Sequence, residues 1–165
     1  MVDSYRFLDR VAKRVMQHWS AIRPATPSPW TRLAKPVSQC TIALVSSAAL
    51  ALNSDPPFDL QIERLDPWFS DPSHRVLPCN TRTGEVQVCH LHINPAFAQQ
   101  DLNCVMPLER LAELVALDEA GDSAPSHYSY IGYTLRPERL LHETVPAIIE
   151  RMRKEYVDAV VLVPV

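Results

Sequence analysis

The chain predicts an α/β fold, an open and mainly parallel sheet with helices on its flanks. Two runs, residues 40–50 (CTIALVSSAAL) and Ala159–Val163 (AVVLV), are apolar throughout and partly β-branched. Strands of a parallel sheet covered on both faces take this form. A third run, residues 86–93 (VQVCHLHI), alternates apolar with polar and reads as a further strand. Between them lie segments with apolar residues at helical spacing. With 165 residues, 47% of them apolar and 21% charged, the chain is long and apolar enough to bury one core.

The elements follow in order. Tyr5, Leu8, Val11, Ala12, Val15, Met16 and Trp19 mark an amphipathic helix behind Asp3 or Ser4 as N-cap. Prolines at 24, 27, 29 and 36 then favour an extended arm, so residues 1–36 form a helix and arm, and residues 37–165 the α/β domain. Residues 53–78, rich in Asp and Pro, read as a long ordered loop. A helix is expected over 106–120, with Pro107 in its first turn and Gly121 beyond its end. The stretch 126–133 (SHYSYIGY) reads as an aromatic turn around Gly132. A second helix is expected over 137–156, kinked or split at Pro146, whose ring clashes with the preceding turn at a cost of roughly 3 kcal/mol.

Composition excludes several function classes. A net charge of −3 provides no basic footprint for nucleic acid or for an anionic membrane. No apolar run reaches the about 20 residues that span a bilayer, and the charged N-terminus lacks the apolar centre of a secretory signal. The four cysteines, at 40, 79, 89 and 104, have neither CxxC spacing nor the density of a disulfide scaffold. A cytoplasmic protein with reduced thiols is expected. The residues after the first strand, SSAALALNSDPP, lack the glycines that wrap a pyrophosphate.

Candidate chemistry is spread along the chain. On a strand, His90 and His92 share a face, and with Asp101 or Cys104 they have ligand-like spacing for zinc; hydrogen-bonded histidines at a sheet end are the alternative. Asp101 and Asn103 either orient a substrate or cap the following helix. His127, Tyr128 and Tyr133 offer proton-transfer and hydrogen-bonding groups, or a buried aromatic turn. His74 and Arg75 suit a carboxylate partner, or a surface ion pair.

The pieces KPVSQCTIALVSSAAL, FDLQIERLDPWFSDPSHRVLP, CHLHINPAFAQQDLNCVMPLERLAEL, SHYSYIGY and VDAVVLVPV, from about Lys35 onward, resemble the selenoprotein B family of glycine, betaine, sarcosine and D-proline reductases. The resemblance implies an oxidoreductase of the cytoplasm with a Rossmann- or flavodoxin-like sheet. Such a subunit reductively cleaves a C–N bond of a small amino acid or betaine-like amine, with electrons from a thiol donor. It further implies a selenocysteine or cysteine nucleophile directly after the strand that ends at Val165. The domain is then expected to be incomplete and this chain alone inactive, a UGA codon being read as a stop. His90, His92, Asp101 and His127 take catalytic roles in this picture, and His74, Arg75, Asn103, Tyr128 and Tyr133 bind substrate. The partners implied are other reductase subunits, one of them able to carry a pyruvoyl group; this chain itself carries no cofactor. The alternatives are a non-catalytic or metal-binding α/β module, with His90, His92 and Asp101 as ligands, and an assembly subunit whose edge strand Ala159–Val163 pairs with a partner.

Overall fold

The computed structural model describes residues 9–22, 31–66, 69–132, 134 and 136–165. The chain divides into two compact units, Met1–Arg32 and Leu33–Val165. In the first, helix α1 (Arg10–Ile22) starts at Asp9, whose carboxylate accepts the Val11 amide at 2.8 Å. Asp3 and Ser4, the expected caps, lie outside the described residues, as does most of the proline-rich arm.

The second unit is hung on β1 (Thr41–Ser46). Strands β5 (Asp122–Ser123) and β6 (Ser126–Tyr130) follow one another along one edge of β1, and β7 (Ala159–Val163) runs along the other. All three are parallel to it, while β3 (His74–Pro78) lies antiparallel outside β6. The sheet is therefore α/β and mainly parallel, as its apolar runs predict. Alternation along β1 serves two layers. Ile42 and Leu44 pack with Leu108 and Leu111 of α4 (Leu108–Ala116), and Ala43 and Val45 with Ile148 and Met152 of α5 (Val145–Lys154). Each buried aliphatic side chain contributes about 1.5–3 kcal/mol.

The break between β5 and β6 is a bulge. Ile42 pairs with Ser123 and Val45 with Tyr128, so three steps on β1 face five on its neighbour, with Pro125 among the extra residues. The Leu44 amide is left without a ladder partner there, and the Nδ1 of His127 accepts it at 2.9 Å.

Several expectations are corrected. Residues 40–50 do not form one strand: β1 stops at Ser46, whose hydroxyl accepts the Ala48 amide, Ala49 turns at φ 52°, and the chain restarts as β2 (Leu50–Leu52). Serine side chains that bond the local backbone compete with the ladder. β2 pairs antiparallel with β4 (Val86–Val88) in a separate two-stranded sheet, and the alternation expected to carry a strand on to 93 ends at Val88. The loop expected over 53–78 contains α2 (Leu60–Leu65) and all of β3. The 126–133 segment is not a turn, since Ser126–Tyr130 is a buried strand. Short α3 (Pro95–Gln100) precedes a 3₁₀ turn, Leu102–Cys104, and Pro107 stands at the N-cap of α4 rather than inside its first turn.

The disturbance predicted at Pro146 takes a specific form. A π-helical turn, Leu140–Thr144, runs into α5, with the Val145 amide bonded to the Leu140 carbonyl five residues back. Pro146 thereby falls in the first turn of α5, where its missing N–H breaks nothing. β7 spans the predicted residues but is not buried: Leu162 is 71% exposed, Val160 and Val161 are also exposed, and among the described residues it pairs with β1 alone. No helix among the described residues is long and apolar enough to cross a membrane.

Candidate functional site

Ligands of open α/β sheets gather beyond the carboxyl ends of the parallel strands. Here β1, β6 and β7 end together, and one residue joins them. Ser47, nearly buried, donates its amide to the Val163 carbonyl at 3.1 Å, and its own carbonyl accepts the Gly132 amide at 2.9 Å. Its hydroxyl accepts the Val165 amide at 2.8 Å and reaches the Val165 carbonyl at 3.4 Å. Gly132 is required by this approach, because a Cβ there would lie 2.7 Å from that of Ser47. The arrangement fixes the backbone beyond β7 in position and direction.

His90 and His92 lie on the same side of the unit. The amide of Cys89 bonds Ala49, three residues past the end of β1, and the chain then turns. The His92 amide donates to Nδ1 of His90 at 3.0 Å, and the rings meet edge to face at 5.7 Å. A local turn, not a strand face, brings the pair together. With Nδ1 accepting, Nε2 of neutral His90 carries the proton, and this buried N–H has no partner among the described residues. Burial first, then His92, lowers the pKa of His90, so the ring is neutral at pH 7.

Asp101 does not join them. Its carboxylate accepts the amide and the side-chain Nδ2 of Asn103, at 2.9 and 2.8 Å, and the side-chain bond is the main cause of its lowered pKa. Asn103 in turn accepts the Glu109 amide at 3.0 Å, which caps α4. Capping is thus what both residues do in the structure. Among the described residues no three His, Cys, Asp or Glu side chains stand together as a metal site, so the alternative ligand set His90, His92 and Asp101 is not assembled. His127 is sealed within the sheet: Nδ1 takes the Leu44 amide and Nε2 lies 3.1 Å from the Ser123 hydroxyl. Burial pushes its pKa down to about 4. The ring holds strands together rather than facing a ligand.

An open groove of about 880 Å³ runs along β3 and α5. It is lined by His74 and Arg75 from the expected binding set and by Ser73, Ser126, Arg151 and Glu155. Arg75 spends its guanidinium on the carbonyls of Pro56 and Pro57 and on Ser73, and lies 4.2 Å above the Phe58 ring. It pins a loop instead of pairing with a carboxylate. Tyr128 is fully buried with its ring 6.3 Å from that of His74. Its hydroxyl sits beside Glu155 and Arg151, and burial first, then the Glu155 carboxylate, pushes the phenol up to about 12. Burial, then Arg75 and Arg151, lowers the pKa of His74. Tyr133 lies outside the described residues.

Sequence reasoning missed Ser47, Ser126, Arg151 and Glu155. Arg151 and Glu155, four apart on a helix, look like a solvated ion pair. For Ser47 the available signal was a Ser-Ser pair closing an apolar run in a chain with 3 glycines.

The chain is 29% identical over 140 residues to the D-proline reductase subunit gamma of Acetoanaerobium sticklandii. The match covers 84% of this chain and 54% of that protein, so the chain spans about half the length of the curated relative it matches. No family model matches, and no solved structure matches.

Proposed function

We propose that this chain is a subunit of a selenoprotein B-type reductase, which reductively cleaves the C–N bond of a small amino acid or betaine-like amine with electrons from a thiol donor. The similarity to a D-proline reductase gamma subunit over 84% of the chain carries this reading. The strand-end geometry supports it. Ser47 grips both the amide and the carbonyl of Val165, and Gly132 leaves the room for that grip. This is a place where backbone can hold a reactive side chain at the edge of a sheet. A selenocysteine or cysteine held there would supply the nucleophile for carbon next to nitrogen, two electrons and two protons coming from a dithiol that ends as a disulfide. Among this chain's own residues, His90 contributes the neutral ring whose buried Nε2–H is unspent, a donor suited to a substrate carboxylate. Asp101, Asn103 and His127 support the backbone.

A role in assembly belongs to the same reading and has its own observation. The exposed apolar β7 borders a groove of about 370 Å³ lined by Tyr130, Leu141, Val145, Ile149, Val160 and Leu162. An unpaired apolar edge of this kind suits another reductase subunit, including one that carries a pyruvoyl group.

The test uses the native complex purified through this subunit. Dithiothreitol-dependent reduction of D-proline, glycine, sarcosine or betaine is expected, with selenium or a reactive thiol in the subunit on intact-mass and elemental analysis. Absence of reduction of all four by the intact complex would refute the reading.

A further inference from the structure

Helix α1 presents an apolar side that stands in water. In the sequence, apolar residues recur at helical spacing from Tyr5 to Trp19, and Arg10, Lys13, Arg14, Gln17 and His18 fall between them. At about 100° per residue, Val11 and Val15 share one side of the helix, and Arg10 and Arg14 share the adjoining flank. Val11 is 73% exposed and Val15 60%. The helices of the α/β unit treat the same spacing differently: Leu108 and Leu111 of α4, and Ile148 and Met152 of α5, are all at most 8% exposed. A helix of a globular protein buries its apolar stripe, and one left bare marks a surface that something else covers.

Charge says what that is. Residues 1–23 carry five Arg or Lys against two Asp, a net +3, and residues 24–165 eleven against seventeen Asp or Glu, a net −6. The chain-wide net charge of −3, which excludes an anionic membrane when read as a whole, conceals this basic segment, and no acidic residue occurs between 10 and 23. A basic amphipathic helix lies in the surface of an anionic bilayer, its apolar side at the acyl boundary and its arginine stems carrying their heads up to the headgroups. The 13 residues of α1 rise about 20 Å, short of the about 30 Å that a crossing needs, so the helix lies along the surface. Trp19, which continues the spacing of Val11 and Val15 in the sequence, is a residue type enriched at that depth. A second copy of the helix fits less well, since it brings the same basic flank, and nucleic acid would leave the valines in water. We propose that α1 is a docking element for an anionic lipid surface, with Val11 and Val15 at the acyl boundary and Arg10 and Arg14 on the acidic headgroups. The helix belongs to its own unit, Met1–Arg32, so this binding is independent of the reductive chemistry proposed above.

The probe is vesicles of phosphatidylcholine with about one third phosphatidylserine, set against vesicles of phosphatidylcholine alone, each sedimented with the whole 165-residue chain at low ionic strength. The chain is expected to pellet with the anionic vesicles and not with the neutral ones, and high salt is expected to release it. Arg10→Glu with Arg14→Glu is expected to weaken binding by at least about tenfold, and Val11→Asp with Val15→Asp comparably, both with unchanged urea unfolding of the chain. Val11→Leu with Val15→Leu is expected to tighten it by at least about fivefold, a gain that loss of helix cannot imitate. Any of four results would overturn the proposal. These are no binding to anionic vesicles; equal binding to both kinds; affinity unmoved by either charge reversal or the leucine pair; and an aspartate pair that lowers the unfolding free energy or disperses a dimer, which would place the valines against the protein itself or a second copy.

Discussion

His127 makes this protein's stability depend on pH in a direction that can be worked out. Its ring is fully buried, Nδ1 accepts the Leu44 amide, and its pKa falls from an ordinary value of 6.5 to about 4. In the unfolded chain the imidazole takes up a proton near pH 6.5; in the folded chain it does not until about pH 4. The unfolded state therefore binds more protons throughout that window. The stabilisation is fully present above pH 6.5 and is lost as pH falls toward 4. A difference of about 2.5 pKa units corresponds to about 3 kcal/mol in total, of which about 2 kcal/mol goes between pH 7.5 and 5. Protonation also removes the acceptor that the bulge leaves Leu44 to depend on. His127→Asn is the informative variant, because its Oδ1 stands where Nδ1 stands and does not titrate. Urea denaturation at pH 7.5, 6 and 5 is expected to show the wild type losing about 2 kcal/mol more than the variant over that range. Parallel pH slopes for the two proteins, or a wild type that gains stability on acidification relative to His127→Asn, would refute the account of His127 as a neutral backbone acceptor.

Other perturbations have equally definite outcomes. Gly121→Ala and Gly132→Ala should both lower stability in urea denaturation, since a Cβ at 121 meets the backbone of Gln39 and Cys40 at 2.5 to 2.8 Å and one at 132 meets the Ser47 Cβ, which is fixed to its own backbone, at 2.7 Å. Asn103→Ala removes the acceptor of the Glu109 amide and should cost about 1 kcal/mol by thermal or urea unfolding, with no change in thiol-dependent activity of the complex beyond that loss. Leu162→Lys, at a position 71% exposed, should leave the unfolding free energy of the chain within about 0.5 kcal/mol while abolishing co-purification of partner subunits. Arg75→Lys should make the 56–58 loop a site of limited proteolysis, because lysine cannot reach Pro56, Pro57 and Ser73 together.

The layers of the fold were legible because apolar runs and helical spacing report burial, and burial is what stacks α4 and α5 on β1. What escaped was decided by single polar atoms. The run 40–50 looks continuous by hydropathy, yet the hydroxyl of Ser46 and the left-handed turn at Ala49 split it into strands of two different sheets. The 126–133 segment carries a histidine, serines and tyrosines and so reads as a turn. It is a buried strand because those polar groups accept backbone amides, His127 that of Leu44 beside the bulge and Ser129 that of Leu50 at the start of β2. Of the candidate site residues, Asp101 and Asn103 show the limit most clearly. Their spacing suits capping and ligand binding alike, and only the bonds to Asn103 and Glu109 choose between them. The groove along β3 was half visible, since His74 and Arg75 were singled out while Arg151 and Glu155, at the end of α5, carried no mark.

The central place of β1 also governs how the molecule comes together in time. Among the described residues no strand next to it in sequence pairs with it: Thr41 bonds Asp158, 117 positions away, and its other edge waits for residues 122 to 129. The sheet has no hairpin through β1 on which to nucleate, so its formation must close long loops before any of its ladder bonds repay them, which makes for slow folding. During synthesis β1 leaves the ribosome with both edges bare, one until residues 122 to 129 have followed and the other until residues 159 to 163 have. An apolar strand unpaired for that interval is a chaperone substrate and a seed for aggregation, so yield from a fast expression host should improve at low temperature, where elongation slows and association weakens.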